Sequence, residues 1–110
     1  MNPQQDTITS YRRLYILKTL KVSSDYRMSD MLLQAALNKI GLGVSMSVLR
    51  GDLAWLERQG LVATSKVGEM TMALLRKEGL DVADGLAIVP GIDRPQPEEA
   101  AATKVELTLL

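Results

Sequence analysis

The side chains that could do chemistry in this chain are arginines, lysines, hydroxyls and carboxylates, because its 110 residues include no cysteine and no histidine. Without these two residue types there can be no disulfides, no thiolate or imidazole metal ligands and no cysteine or Ser-His-Asp nucleophile systems. Acid–base catalysis by histidine is excluded as well. We therefore expect no metal site, no cofactor and no enzyme activity.

Binding chemistry is concentrated between residues 45 and 50. Ser45 and Ser47 open a predicted helix, and hydroxyls at a helix N-terminus can donate hydrogen bonds to a phosphate. Arg50 can bind a phosphate, or it can reach O6 and N7 of a guanine in bidentate fashion. Met46 shares the outward face of the helix, and Lys66 lies near a predicted hairpin tip that could touch the DNA backbone. These five residues are the predicted contacts to duplex DNA.

The same region has a second interpretation. Asp52 and Glu57 lie on the same helix and would repel phosphate wherever they faced a duplex. Arg50, Arg58 and Lys66 could equally be solvated surface charges with local partners. Residues 1–66 hold nine Lys/Arg against five Asp/Glu, a net of +4, whereas residues 67–110 hold four against eight, a net of −4. Only the first part of the chain suits an anionic partner.

Apolar spacing predicts three helices around these residues. The first runs from a cap at Thr9 or Ser10 to about Lys21, with Arg12, Arg13 and Lys18 away from its apolar stripe. The second runs from a cap at Ser29 to about Ile40, and the third from Ser45 or Ser47 to Gln59-Gly60. The predicted inward residues are Tyr11, Leu14, Tyr15, Leu17 and Ile16 or Leu20 in the first helix, Leu32, Leu33, Ala36, Leu37 and Ile40 in the second, and Leu49, Leu53 and Leu56 in the third.

The apolar period changes to two after the third helix. Residues 61–66 and 70–75 alternate across a turn at 67–69, which predicts a β-hairpin. A short helix from about Lys77 to Ala83, ended by Gly85, should follow. Trp55, the single tryptophan, is either an anchor for a partner or, as we favour, packs at the edge of the core or against the tail.

The C-terminal part differs in composition. Residues 89–97 hold three of the four prolines, which predicts an extended arm ordered by contact. Val105, Leu107 and Leu109 then alternate with polar residues, and this tail is too apolar to remain in water, so it should pack on its own domain or on a second copy. We assign these three residues to a dimer interface. The predicted organisation is a flexible N-terminus (1–8), one domain (9–86), and the arm with the apolar tail (87–110).

This order of elements predicts an α+β fold, a winged helix-turn-helix with three helices, a two-stranded wing, a short fourth helix and an extended C-terminal arm. A glycine turn between the second and third helices lets the third helix project into a major groove. No apolar run approaches the roughly 18 residues that would span a bilayer, and the polar start of the chain is unlike a signal peptide. We expect a cytoplasmic protein.

Several segments resemble known winged-helix proteins. Residues 53–62, LAWLERQGLV, resemble the junction between third helix and wing in arsenic-repressor-like and multiple-antibiotic-resistance-like regulators. Residues 75–83, LRKEGLDVA, resemble the stretch that leaves their wing, with Arg76 in place of a capping threonine. Together with YRRL at 11–14, VPGI at 89–92 and Arg94-Pro95, residues 10–95 resemble a family of small winged-helix proteins of Mu-like prophages.

The resemblance implies DNA binding by analogy of fold, and fold alone leaves two functions open. The first is a phage-type transcriptional regulator that binds duplex DNA as a homodimer. The second is a protein-interaction module, in phage assembly or as an accessory to another factor, which the neutral net charge and the apolar tail favour. Metal sensing of the arsenic-repressor type is excluded because the chain has no cysteine or histidine.

Overall fold

The computed structural model describes residues 3–97 and contains four helices and three strands in that range. The helices are α1 (Pro3–Lys21), α2 (Asp30–Lys39), α3 (Met46–Arg58) and α4 (Lys77–Ala83), and the strands are β1 (Arg27–Ser29), β2 (Val62–Val67) and β3 (Met70–Leu75). A short 3-10 turn, Ser24–Tyr26, precedes β1. Within this part of the chain no helix combines the length and the apolar character needed to cross a membrane.

The strands form one antiparallel sheet in the order β1-β3-β2, and the fold is the predicted winged helix-turn-helix. The hairpin pairs Val62 with Leu75 and Val67 with Met70, close to the expected register. The sequence did not predict β1, which pairs Met28 with Ala73. Three residues are too few to show alternation, and the strand follows a turn in which Asp25 and Tyr26 both have positive φ.

The helix ends follow the capping residues. Ser29 accepts a hydrogen bond from the N–H of Leu32 at 3.3 Å, and Ser45 accepts one from Val48 at 3.2 Å, so Ser45 rather than Ser47 caps α3. Gly60, at φ +77°, ends α3 in the left-handed conformation. At the start of α4, Arg76 provides no side-chain cap, but its N–H donates to the carbonyl of Leu61 at 3.0 Å.

Leucines from α1, α2 and α3 meet on the inner face of the sheet in one core. α3 contributes the three predicted leucines, and α2 contributes only Leu33 and Leu37, because Leu32 and Ile40 are exposed. The members that are less than 2% exposed include Ile16, Leu17, Leu20, Leu33, Leu37, Leu49, Leu53, Leu56 and Val62.

Three expectations for α1 were wrong. The helix begins at Pro3 and not after a cap at Thr9 or Ser10. Tyr11 is exposed rather than buried, and Arg12, expected on the outer face, is only 4% exposed. The reason for the last difference is Asp52, which neutralises Arg12 inside the domain at a distance of 2.6 Å.

The proline arm is held against α1 and α3. The N–H of Asp93 donates to the carbonyl of Ser10 at 3.1 Å, and Ile92 is buried. Gly91 lies so close to Trp55 that a Cβ there would be 2.9 Å from the indole Cζ2. Trp55 therefore packs against the arm. It is also half-buried against the leucine core, which is the position at the edge of the core that the sequence favoured. Val105, Leu107 and Leu109, the predicted dimer contacts, lie outside the described residues.

Candidate nucleic-acid interface

The candidate interface is the exposed face of α3 together with the hairpin β2–β3, which is the wing. The buried leucines fix the rotation of α3, and this leaves Ser45, Ser47, Arg50 and Gly51 exposed. A Cβ on Gly51 would meet no atom within 4 Å, so this glycine is not required by packing inside the protein. The N-terminal turn of α3 thus presents hydroxyls and free backbone N–H groups to solvent, which is an arrangement that favours anions.

Met46 is the predicted contact that the structure places differently. Its side chain is half-buried and packs against the leucine core. It therefore fixes the start of α3 against the domain more than it extends the outer face. The hydroxyl of Ser45 caps the helix by accepting the N–H of Val48, whereas the hydroxyl of Ser47 has no role in capping.

Arg50 is tethered at the junction of three elements. Its Nε donates to Oδ2 of Asp30 at 2.8 Å, and its Nη2 donates to the backbone carbonyl of Glu69, in the wing turn, at 3.1 Å. The side chain remains 44% exposed. Two of its five N–H groups are occupied, which leaves both N–H groups of Nη1 and one of Nη2 for a ligand such as a phosphate.

Asp30 is the residue of this cluster that the sequence did not reveal. It is the first residue of α2, its side chain is fully buried, and its Oδ2 also accepts the N–H of Thr71 at 3.2 Å. Burial raises the pKa of Asp30, but the hydrogen bond from Arg50, the N–H of Thr71 and the charge of Arg50 outweigh it, so that the pKa lies below its ordinary value. An acid in the first turn of a helix is common for dipole reasons, and no sequence signal linked it to an arginine 20 residues away.

The two acids of α3 both have hydrogen-bond partners within the fold. Asp52 is buried and accepts from Nε of Arg12 at 2.6 Å and from Nε of Arg13 at 3.2 Å. Glu57 accepts from the N–H and the hydroxyl of Thr64, at 2.7 and 2.9 Å, and thereby joins α3 to β2. The expected repulsion of phosphate by Asp52 does not arise, because its charge is compensated within the fold.

The wing contributes Lys66 near its tip. Its Nζ donates to the hydroxyl of Thr71 on the neighbouring strand at 2.9 Å, while the residue as a whole is exposed. Gly68 has a φ of +62°, which allows the turn that carries Glu69. Lys66 and Arg50 therefore belong to one structural unit, since Thr71 and Glu69 lie in the same wing.

Arg13 of α1 contacts α3 through Trp55 and Asp52. The guanidinium carbon of Arg13 lies 3.9 Å from the centroid of the indole ring, and its Nη1 donates to the carbonyl of Gly91 at 3.2 Å. Asp52 fixes the same guanidinium at Nε.

No group of three or more Asp, Glu, His or Cys residues that could hold a metal ion occurs in the described range 3–97.

Comparison with known proteins gives a sequence relative and a structural neighbour. The chain is 37% identical over 92 residues to the uncharacterized protein gp26 of Escherichia phage Mu, and the match covers 84% of this chain and 95% of gp26. The fold is similar to the complex structure of hsRosR-S4, with a TM-score of 0.52 and 18% identity over 86% of this chain and 87% of that one. No protein-family model matches the chain. The relative confirms the resemblance to proteins of Mu-like phages, and the chain belongs to the phage-type winged-helix family of Mu gp26.

Proposed function

We propose that this protein is a cytoplasmic transcriptional regulator, not an enzyme, that binds duplex DNA as a homodimer, with α3 in the major groove and the wing on the backbone. The observation that carries the proposal is the tether of Arg50, which fixes a half-exposed guanidinium where α3 meets the wing. The hydroxyl of Ser47, which is not used to cap the helix, and the amine of Lys66 extend the same surface. In winged-helix proteins that bind DNA, these two elements meet the duplex together.

The geometry of Arg50 favours phosphate contact over base reading. With Nε and Nη2 engaged inside the protein, the guanidinium cannot rotate freely to follow a base edge. Contacts to phosphate position a protein on DNA without carrying sequence information. Base reading then falls to residues near the start of α3, where Ser47 and Gly51 allow close approach to the groove floor.

A salt titration with a mixed-sequence duplex tests the proposal. Binding should be measurable at ~20 mM salt at the micromolar concentrations where non-specific binding appears, and affinity should fall steeply as salt rises, because phosphate contacts release counterions. If no duplex is bound under these conditions, the DNA-binding proposal is wrong. Sedimentation of the complex between the protein and a duplex gives the number of copies bound. One copy per site would contradict binding as a homodimer.

A protein-interaction module is the second candidate. It is favoured by a group of exposed apolar side chains at the end of α1 and the start of α2, which includes Val22, Met31 and Leu32. Contiguous apolar surface of this kind marks interaction sites in other proteins. Absence of duplex binding together with stable capture of a purified protein partner would select this function.

A further inference from the structure

A broad apolar groove lies between the end of α1, the edge strand β1, the start of α2 and strand β3. Its volume is about 880 Å³, which is within the range of roughly 300–1,000 Å³ found for ligand sites. We name it the methionine groove after its lining, whose apolar members are Val22, Met28, Met31, Leu32, Met70 and Met72. Met70 and Met72 lie on β3 of the wing, and none of the six residues is among the predicted contacts to DNA.

The methionine groove leaves large apolar side chains in water. Val22 is 80% exposed, Met31 58% and Leu32 59%. Scattered single exposures of this kind need no explanation, but these three line one concave surface. Methionine side chains adapt their shape to an occupant at little cost, which suits a site that receives a flexible segment.

We propose that the methionine groove binds the C-terminal segment of the same chain, residues 105–110. The sequence left two places for this apolar tail, its own domain or a second copy, and the path of the arm selects the first. Gln96, at the end of the arm, lies with Tyr15 and Lys18 of α1 around a small cavity. Val22 of the methionine groove directly follows the last residue of α1 and lies four residues after Lys18, a rise of about 6 Å along the helix direction.

The connecting residues are long enough for this path. Residues 98–104 number seven, and an extended chain of that length reaches up to ~23 Å. A short connection that can span two sites gives an effective local concentration of the order of mM. At micromolar protein a second copy competes poorly with a segment that is already attached, unless the connection is strained.

The chemistry of the segment matches that of the groove. Val105, Leu107 and Leu109 alternate with polar residues, which would give an extended segment one apolar face. Asp25 and Arg27 form part of the groove lining and are exposed, and neither takes part in a salt bridge with any other residue in the range 3–97. Glu106 in the segment and Lys104 directly before it carry the charges opposite to those of Arg27 and Asp25.

The absence of cysteine allows a direct test on the full chain. Thr108→Cys, on the polar side of the segment, takes a nitroxide spin label at a single position, and methionine methyl groups are observed by NMR after 13C labelling. We expect loss of signal from Met31 and Met72 in the methionine groove, and retention of the signal from Met46 on α3. No loss at Met31 and Met72 would overturn the proposal.

A mixed sample separates the chain's own tail from that of a second copy. Spin-labelled protein without 13C is mixed with 13C-methionine protein without the spin label, so that only contacts between molecules cause signal loss. The proposal expects no loss in this sample, and loss at Met31 would assign the groove to a second copy and overturn it. These outcomes are independent of duplex binding, which is measured separately on the same protein.

Two variants show whether the apolar face drives the docking. Leu107→Asp with Leu109→Asp, in the spin-labelled chain, should restore the signals of Met31 and Met72. Ala101→Asp, which adds a charge in the connecting residues, is the matched control and should leave the signal loss unchanged. Persistence of the loss in the double variant would show that the segment is near the groove without packing in it, contrary to the proposal.

Discussion

Arg50 on α3 and Asp30 on α2 form an ion pair, with Nε 2.8 Å from Oδ2, that connects the two helices of the helix-turn-helix. The same arginine donates to Glu69 in the wing, and the same aspartate accepts from Thr71 in β3. One pair therefore links α2, α3 and the wing. This has consequences for stability as well as for binding.

Asp30→Asn should lower the free energy of unfolding and weaken duplex binding together. Breaking a fully buried pair costs about 3–5 kcal/mol, but Arg50 is half-exposed and can regain water, so we expect roughly 2 kcal/mol. Urea unfolding followed by circular dichroism measures the change. Asp25→Asn is the control, since Asp25 is exposed and asparagine tolerates its positive φ, and it should change stability by less than about 0.5 kcal/mol. Equal losses in both variants would contradict a special role for Asp30.

The same pair predicts a dependence of stability on pH. The pKa of Asp30 is lowered in the folded state, so its contribution is complete above the ordinary value of about 4 and is lost as pH falls through the folded value. The difference in urea midpoint between the wild type and Asp30→Asn should be constant above about pH 5 and should shrink below pH 4. A difference that grows on acidification would show the opposite sign of the shift.

Arg50→Ala is consequently a poor test of DNA contact by itself. The sequence predicts Arg50 as a surface residue, and removal of a surface side chain should leave folding intact. In the structure its removal leaves the buried carboxylate of Asp30 without a charged partner. A loss of duplex binding in this variant would combine destabilisation with the loss of a phosphate contact.

Short-range chemistry in the sequence predicted most of the scaffold. The caps at Ser29 and Ser45 and the glycine at the end of α3 occur where side-chain type and backbone freedom require them. These features depend on neighbours within four residues. The hairpin follows for the same reason, because alternation and a glycine turn are local signals.

Long-range pairs escaped prediction. Arg12 and Asp52 are 40 residues apart, and each taken alone resembles a surface charge. Strand β1 exists because Met28 meets Ala73 across the sheet, and no local pattern marks it. The candidate site shows the same difference between local and long-range features. The exposure of Ser47 and Lys66 follows from the helix period and the position of the turn, which are local. The hydrogen bonds that hold Arg50 depend on a partner from another element, which the sequence does not mark.

Arg13→Gln should loosen the proline arm without unfolding the domain. The substitution removes the cation–π contact with Trp55 and the hydrogen bond to Gly91, while Arg12 still neutralises Asp52. Because Trp55 is the single tryptophan, its fluorescence reports on the arm directly, and we expect a red shift and easier quenching by acrylamide. We expect a stability loss of about 1 kcal/mol. Arg94→Gln, an exposed arginine of the arm, should leave the spectrum unchanged, and an unchanged spectrum in Arg13→Gln would place the control of the arm elsewhere.

Two helical glycines should respond in opposite directions to replacement by alanine. Gly51 has open space around its missing Cβ, so Gly51→Ala should stabilise the fold by up to about 1 kcal/mol. At Gly79 a Cβ would collide with the carbonyl oxygen of Leu61 and with Cδ1 of Leu75, so Gly79→Ala should destabilise by about 1–3 kcal/mol. Thermal unfolding of the two variants, which differ from the wild type by one methyl group each, measures both effects. A stabilised Gly79→Ala would mean that α4 can shift away from β3 at no cost.

Ser47→Asp separates DNA binding from folding better than any substitution of Arg50. Ser47 is exposed in the first turn of α3, where an added negative charge interacts favourably with the helix dipole, so stability should stay the same or rise by about 0.3–1 kcal/mol. The same charge would face phosphate if α3 enters the major groove, and we expect at least about a tenfold loss of duplex affinity at low salt, which corresponds to ~1.4 kcal/mol. Ala87→Asp makes an identical change in net charge at an exposed position after α4 and should weaken binding much less. Fluorescence anisotropy with a labelled duplex measures all three proteins, and an equal loss in the two variants would show that net charge, and not the face of α3, determines the affinity.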